Sequence, residues 1–213
     1  MNNQYTYPVF LNLTGRPCMV IGGGKVALRK VNDLIEADAQ VIVVAEKPDF
    51  LIEELSQKGT IKLFRRSFKP EDVEGAFLVF AATDDNSVNT EIAERARQKG
   101  VLVNAVDNPA QCDFFSGAVL KRGPLQIAVS TSGRCPGIAA DIRRELEKQY
   151  GELFSDFLET AGEMRKYVLS EEDIQTEKKD IALKWLSARE TLTLFMNSGK
   201  EKVWEELKKI ISS

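Results

Sequence analysis

Histidine is absent from this chain of 213 residues. Without imidazole, proton transfer near neutral pH must rest on carboxylate, lysine, tyrosine, cysteine or water, and the commonest nitrogen ligand for a metal is missing. Cysteine is scarce: Cys18, Cys112 and Cys135 are odd in number and have no Cys-x-x-Cys spacing. This argues against a disulfide framework and a thiolate zinc site, fits a reducing cytoplasm, and leaves the three thiols as core or incidental residues with no metal site expected. No apolar run approaches the roughly 20 residues of a membrane span, and Met1-Asn-Asn-Gln-Tyr-Thr-Tyr7 has no basic segment ahead of an apolar core. Neither a membrane partner nor a targeting segment is therefore expected. A net charge of −3 gives no footprint for nucleic acid, although a local basic patch could still hold an acidic small molecule.

What is present is a hydrophobic content of 43%, that of a globular protein, arranged in a rhythm. Up to about residue 112, short β-branched runs alternate with longer amphipathic ones, which predicts βαβ units and a doubly wound parallel sheet. Residues 10–15 read as a short strand and turn. Strands are predicted at 18–21, 41–45, 61–65, 77–82 and 101–106, and helices at 25–37, 50–58 and 88–99. The first helix should bury Val26, Val31, Leu34 and Ile35 and end at Asp38, a residue that tolerates the left-handed conformation. Beyond Pro109 the rhythm changes to two strands, 118–121 and 125–130, around the turn Arg122-Gly-Pro124. Helices then follow at 137–150, 153–168, 171–189 and 200–211.

The stretch Cys18-Met-Val-Ile-Gly22-Gly23-Gly24-Lys25-Val26-Ala27 sets three glycines between an apolar strand and a helix, the place where a dinucleotide pyrophosphate docks. Gly22 suits the tight turn, Gly24 a close approach of phosphate to backbone, and Ala27 the small third position of Gly-x-Gly-x-x-Gly/Ala. The following helix points its positive end at the anion. Open α/β sheets bind ligands beyond the carboxyl ends of their strands, so Gly22–Gly24, the turn Thr83-Asp84-Asp85 and Asp107 should share one rim. Glu46, after the second strand, is placed to accept hydrogen bonds from the adenosine ribose, which favours NAD over NADP despite the neighbouring Lys47. The alternative for that pair is an exposed loop of opposite charges. Asp107 is the choice for acid–base work or, equally, an Asx-turn residue shaping Asp107-Asn-Pro109. Asp84 and Asp85 read as turn and capping residues.

Ser130-Thr-Ser-Gly133 ahead of Pro136 is a second possible anion cradle, with Arg134 adjacent, or an ordinary strand-to-helix turn. Lys121, Arg122, Arg134, Arg143 and Arg144 form a basic stretch suited to a polycarboxylate, although for Arg143 and Arg144 a solvated face is the better reading.

Taken together, several segments carry a resemblance: Tyr7-Pro-Val-Phe-Leu-Asn-Leu13, Val20-Ile-Gly-Gly-Gly-Lys-Val-Ala-Leu-Arg-Lys30, Ala81-Ala-Thr-Asp-Asp85 with Val88-Asn89, Asn104-Ala-Val-Asp-Asn-Pro109, and Arg122-Gly-Pro-Leu-Gln-Ile-Ala-Val-Ser-Thr131. The chain resembles the precorrin-2 dehydrogenases, a family found alone or joined to a methyltransferase in siroheme synthases. The resemblance implies a Rossmann-like NAD-binding domain over residues 1–112, a dimerisation region over 113–149 and a C-terminal helical domain over 150–213 that encloses a cleft, in a homodimer. It implies NAD-dependent oxidation of precorrin-2 to sirohydrochlorin, with Asp107 as the catalytic residue. Cofactor contacts are implied at Gly22, Gly23, Gly24, Lys25, Val26, Glu46 and Lys47, with Thr83 and Asp84 on the same rim. The eight carboxylates of precorrin-2 give Lys121, Arg122, Ser130 and Arg134 a task in substrate binding. The alternatives are a bifunctional enzyme that also inserts iron into sirohydrochlorin, and a non-catalytic NAD-binding regulatory module.

Overall fold

The computed structural model describes residues 6–212. Residues 1–5, on which part of the targeting expectation rests, lie outside them. The chain divides between Ser116 and Gly117 into two compact units.

The first unit is a parallel five-stranded sheet: β1 (Pro17–Ile21), β2 (Gln40–Val44), β3 (Lys62–Phe64), β4 (Leu78–Ala81) and β5 (Leu102–Ala105), in the spatial order β3-β2-β1-β4-β5. Helices α1 (Lys25–Ile35), α2 (Phe50–Gln57) and α3 (Asn86–Gln98) fill the crossovers. The order reverses beside β1: β2 and β3 extend to one side, β4 and β5 to the other. Such a point leaves a crevice at the strands' carboxyl ends. Both sheet faces are covered, so β1 is buried on alternate sides. Cys18 and Val20 join Val31, Leu34, Val43 and Phe80 in one core cluster, whereas Met19 and Ile21 join Val79, Ile92, Ala96 and Val103 in another. Each fully buried Val or Leu contributes about 1.5–3 kcal/mol of transfer free energy. The Cys18 thiol lies in this core, and burial pushes its pKa up to about 11 against the pull of Arg16. It therefore stays protonated at neutral pH, as befits a core residue.

Helix α1 buries Ala27, Lys30, Val31 and Leu34. The expected burial of Val26 is corrected, since that side chain is 37% exposed. The face actually packed on the sheet follows 27, 30, 31, 34, the i, i+3, i+4, i+7 stripe, and position 26 lies off it on the first turn. Lys30 was not foreseen in the core. Its ammonium stands 5.2 Å from the Phe80 ring centroid and 4.0 Å from Asp33, and burial lowers its pKa. Asp38 does end the segment in the left-handed region, at φ 55°. Residues 10–15 form no strand. They run as a loop in which Phe10 is exposed, because an extended segment lacking a ladder partner gains nothing from strand geometry.

The second unit opens with the antiparallel hairpin β6 (Ala118–Arg122) and β7 (Leu125–Val129), followed by α4 (Pro136–Gln149), α5 (Glu152–Ser170), α6 (Thr176–Leu186) and α7 (Arg189–Ser212), which bends at Gly199, φ 78°. Phe157, Met164, Val168, Ala182, Leu186, Phe195, Val203 and Leu207 form the core of the helical part. Two predicted boundaries change here. The expected helix over 171–189 runs only from Thr176 to Leu186, and residues 190–198, expected to be outside any helix, are helical. Packing of Phe195 against Phe157, ring centroids 5.5 Å apart, holds that turn despite its three low-propensity residues Thr191, Thr193 and Asn197. No described helix is long and apolar enough to cross a membrane.

Candidate functional site

The parallel register sets Ile21 beside Val44 and Ala81, and Ala81 beside Ala105. The residues that follow these four strand ends therefore lie along one rim. Gly22–Gly24 follow β1, Glu46 and Lys47 follow β2, Thr83 and Asp84 follow β4, and Asp107 follows β5, as the sequence predicts.

The three glycines do three different things. Gly22 has φ +130°, and a Cβ there would stand 2.1 Å from the carbonyl oxygen of Ala82, so no side chain fits between β1 and β4. A Cβ on Gly23 would meet the Lys47 carbonyl at 2.6 Å and Pro48 Cα at 2.8 Å. That close passage is sealed by the Asp49 N–H donating to the Gly23 carbonyl at 2.8 Å. Glycine spacing alone assigns Gly23 no role of its own, because the contact is with a loop more than twenty residues away. Gly24, with φ −82° and ψ −173°, has nothing within 4 Å of a would-be Cβ. It is the N-cap of α1 and offers no side-chain cap. The first intrahelical bond runs from Leu28 N–H to the Gly24 carbonyl at 3.0 Å, leaving the amides of residues 25–27 without intrahelical acceptors. Exposed Lys25 and Val26 flank this opening. An uncapped helix start, a glycine facing open space and an adjacent cation fit a dinucleotide pyrophosphate.

Glu46 and Lys47 are both exposed, and the Ser67 hydroxyl donates to Glu46 Oε1. Across the crevice, the turn after β4 is clamped by a residue the spacing argument passed over. Asn89, 3% exposed, accepts from the Thr83 N–H at 3.1 Å and the Thr83 hydroxyl at 2.8 Å, and donates to the Thr83 carbonyl at 3.0 Å. Its signal was legible as a polar residue on the apolar stripe Asn89, Ile92, Ala93, Ala96 of α3. Asp85 caps α3 by accepting from Ser87 N–H at 2.7 Å. The Ser87 hydroxyl, with the Ser87 and Val88 amides, holds its carboxyl below the usual carboxylate range. Asp84 beside it is exposed.

Asp107 is exposed and adopts φ +61°. A non-glycine residue in that region carries a backbone cost on the order of 1 kcal/mol that its surroundings must hold in place. The segment beyond it is tied back to β5: Asp113 N–H donates to the Val103 carbonyl at 2.8 Å, the Val103 N–H donates to Asp113 Oδ2 at 3.1 Å, and Asn104 Nδ2 donates to the Phe114 carbonyl at 2.8 Å. The Cys112 thiol, its pKa raised chiefly by burial, donates to the Ala105 carbonyl at 3.2 Å. No hydrogen bond or ion pair to the Asp107 carboxylate is found among the described residues, so its oxygens are open to a ligand.

In the second unit, Lys121 is exposed at the end of β6. Arg122 donates from Nε to the Tyr150 carbonyl at 3.0 Å and lies 3.4 Å from Glu152. Arg143 and Arg144 pair along their own helix with Glu147 and Asp141, as a solvated face would. The turn 130–135 closes on itself: Ser132 N–H donates to Ser130 Oγ at 3.1 Å and Cys135 N–H to Thr131 Oγ1 at 3.1 Å. Among the described residues, no group of three or more His, Cys, Asp or Glu could hold a metal ion.

Residues 9–118 match the family described as "Putative NAD(P)-binding", and residues 122–149 match "Sirohaem biosynthesis protein central". A siroheme synthase of Methylococcus capsulatus is 40% identical over 161 residues, covering 76% of this chain and 34% of that protein. Siroheme synthase 1 of Serratia proteamaculans is 39% identical over the same length and shares. The chain thus spans about a third of the length of these curated relatives. Among solved structures, SirC, a precorrin-2 dehydrogenase, superposes with a TM-score of 0.82 at 25% identity, covering 96% of this chain and all of that one. The Rossmann-like sheet followed by a helical region is the shared fold.

Proposed function

Because the chain belongs to the NAD(P)-binding family, we propose that it oxidises precorrin-2 to sirohydrochlorin in siroheme synthesis, with NAD rather than NADP as hydride acceptor. The observation that carries the reading is the parallel register, which sets the uncapped start of α1 and the open carboxylate of Asp107 on one rim of the sheet. The relatives named siroheme synthase and the precorrin-2 dehydrogenase of like fold support the choice of substrate.

NAD, when bound, supplies the hydride acceptor. The amides of residues 25–27 and the turn Gly22–Gly24 would hold its pyrophosphate, with Lys25 and Val26 alongside. Glu46 would accept from the ribose hydroxyls and disfavour a ribose phosphate by like charge, with Lys47, Thr83 and Asp84 along the walls of the crevice. Aromatising the macrocycle releases a hydride and a proton, and the Asp107 carboxylate accepts the proton as it leaves carbon. Positioning the substrate against the acceptor supplies the remainder of the rate. Lys121, Arg122, Ser130 and Arg134 meet substrate carboxylates.

The working form is a homodimer in the cytoplasm. Among the described residues the β6–β7 ribbon has two outer edges without a strand partner, and Val119, Ile138 and Ile142 are exposed nearby in sequence on β6 and α4, so a second copy can complete what an isolated ribbon leaves open. Light scattering of the purified chain checks this, with twice the chain mass expected.

Anaerobic incubation with precorrin-2 and NAD, followed at the reduced-nicotinamide absorbance band, tests the activity. Asp107→Ala lowers turnover by about 10²–10⁴-fold while NAD affinity stays within about twofold. Unchanged turnover in that variant removes the catalytic role.

A further inference from the structure

The Asp107 carboxylate has no hydrogen-bond or ion-pair partner among the described residues, so its place is set by the turn that carries it. Asn108 N–H donates to the Ala105 carbonyl at 3.3 Å, which puts Val106 and Asp107 at the two central positions of that turn. Of the two, only Asp107 has a positive φ, +61°. This is the pattern of a type II turn, whose second central position belongs by preference to glycine or asparagine. An aspartate in that position keeps its conformation only if the surroundings hold it.

The Cys112 side chain reaches both ends of the turn. Its Sγ lies 3.2 Å from the Ala105 carbonyl oxygen and 3.4 Å from that of Asn108, so the single thiol hydrogen is shared between the residues that bracket Val106 and Asp107. Burial raises the thiol's pKa and keeps that hydrogen on sulfur at neutral pH. The thiol also works from a fixed base. Arg97 of α3 donates to Gln111 Oε1 and, at 3.3 Å, to Asp113 Oδ1, and so grips the residues on either side of Cys112. Gln111 N–H donates to the Asn108 carbonyl at 3.0 Å and Cys112 N–H to the Pro109 carbonyl at 3.2 Å. Packing against the core cluster around Val103 and Ala105 asks only for an apolar side chain at 112 and gives no reason for two carbonyl oxygens within reach of sulfur.

We propose that Cys112 is a positioning residue for Asp107: its thiol ties Ala105 to Asn108 and keeps the carboxylate between them where it takes the proton. That Asp107 takes the proton rests on the reading of the chain as a precorrin-2 dehydrogenase, whereas the hold on the turn does not.

The test uses the full chain with Cys112→Ala, which removes the donor, and Cys112→Ser, which keeps a donor on a side chain of like shape. Cys112→Ala is expected to lower kcat with precorrin-2 by about threefold or more while the KM for NAD and the circular dichroism spectrum stay unchanged, and Cys112→Ser to return kcat to within about twofold of the parent. In an Asp107→Ala background Cys112→Ala costs nothing further, because nothing is left to position. A smaller loss in Cys112→Ala, a loss that Cys112→Ser shares in full, or one that adds undiminished to that of Asp107→Ala overturns the proposal. Amide hydrogen exchange reads the hold on the turn apart from turnover: Asn108 N–H is expected to exchange about threefold faster or more in Cys112→Ala but not in Cys112→Ser. Exchange at Asn108 unchanged by Cys112→Ala overturns the hold. Turnover indifferent to Asp107→Ala, with Asn108 exchange still governed by the donor at 112, removes the catalytic reading and leaves the hold standing.

Discussion

The turn from β1 into α1 and the turn from β7 into α4 both join a strand to a helix through small residues followed by a cation, yet they treat their backbone donors in opposite ways. After β7, the amides of Ser132, Arg134 and Cys135 donate to Ser130 Oγ, the Thr131 carbonyl and Thr131 Oγ1, and the helix begins on Pro136, which has no N–H. After β1, the glycines carry no side-chain acceptor, and the first turn of α1 has no cap. The hydroxyls ahead of α4 satisfy the amides of Ser132 and Cys135 from within the turn, whereas no side chain accepts from the first amides of α1. The glycine turn also sits where the strand order reverses, so its open donors face a crevice rather than bulk solvent.

Breaking the first turn gives the largest expected effect. Gly22→Asp forces a side chain into the Ala82 carbonyl at a φ of +130° and brings a carboxylate to the phosphates. NAD binding is lost and stability falls by on the order of 3 kcal/mol, read by calorimetric titration and denaturant unfolding. Gly24→Ala separates binding from folding. Its φ of −82° suits alanine and the space is open, so the unfolding midpoint stays within about 0.5 kcal/mol while NAD affinity drops about tenfold.

A smaller effect is expected beside Glu46. Arg66 grips Asp72 with two bonds of 2.7 and 2.6 Å and so anchors the segment that carries Ser67, the donor to Glu46. Burial pushes the Asp72 carboxyl up, but hydrogen bonds from the Arg66 side chain and the Lys69 amide outweigh it and hold the pKa below the usual range. A carboxyl depressed on folding adds stability that is full above about pH 4 and is lost as pH falls through the folded value. Asp72→Asn therefore costs about 1–3 kcal/mol at pH 7 and the difference shrinks in acid, as a pH series of urea melts would show. The smallest effect belongs to the second turn. Gly133→Ala, at φ +74° but in open space, costs about 1 kcal/mol of stability and leaves NAD affinity unchanged.

Much of this was legible from residue order. Alternating apolar runs gave the five parallel strands, the glycine spacing gave the crevice, and Asp38 announced its left-handed turn. What escaped were features set by partners distant in sequence. Gly23 is required by the Lys47–Pro48 backbone, Lys30 is accepted in the core by the Phe80 ring, and residues 190–198 are helical because Phe195 packs on Phe157. Val26 departs from expectation because it lies on the first helical turn, off the packed stripe of Ala27, Lys30, Val31 and Leu34. In the second unit the hairpin and the helices α4 and α5 follow the punctuation by Gly123, Pro136 and Gly151, whereas the start of α6 and the first part of α7 do not.

Hydrogen exchange of the backbone amides with and without NAD separates the two turns. NAD is expected to slow exchange at Lys25, Val26 and Ala27 and to leave the amides of Ser132, Arg134 and Cys135 unchanged. Protection confined to the second turn, or none at the start of α1, would contradict the placement of NAD at the glycine turn.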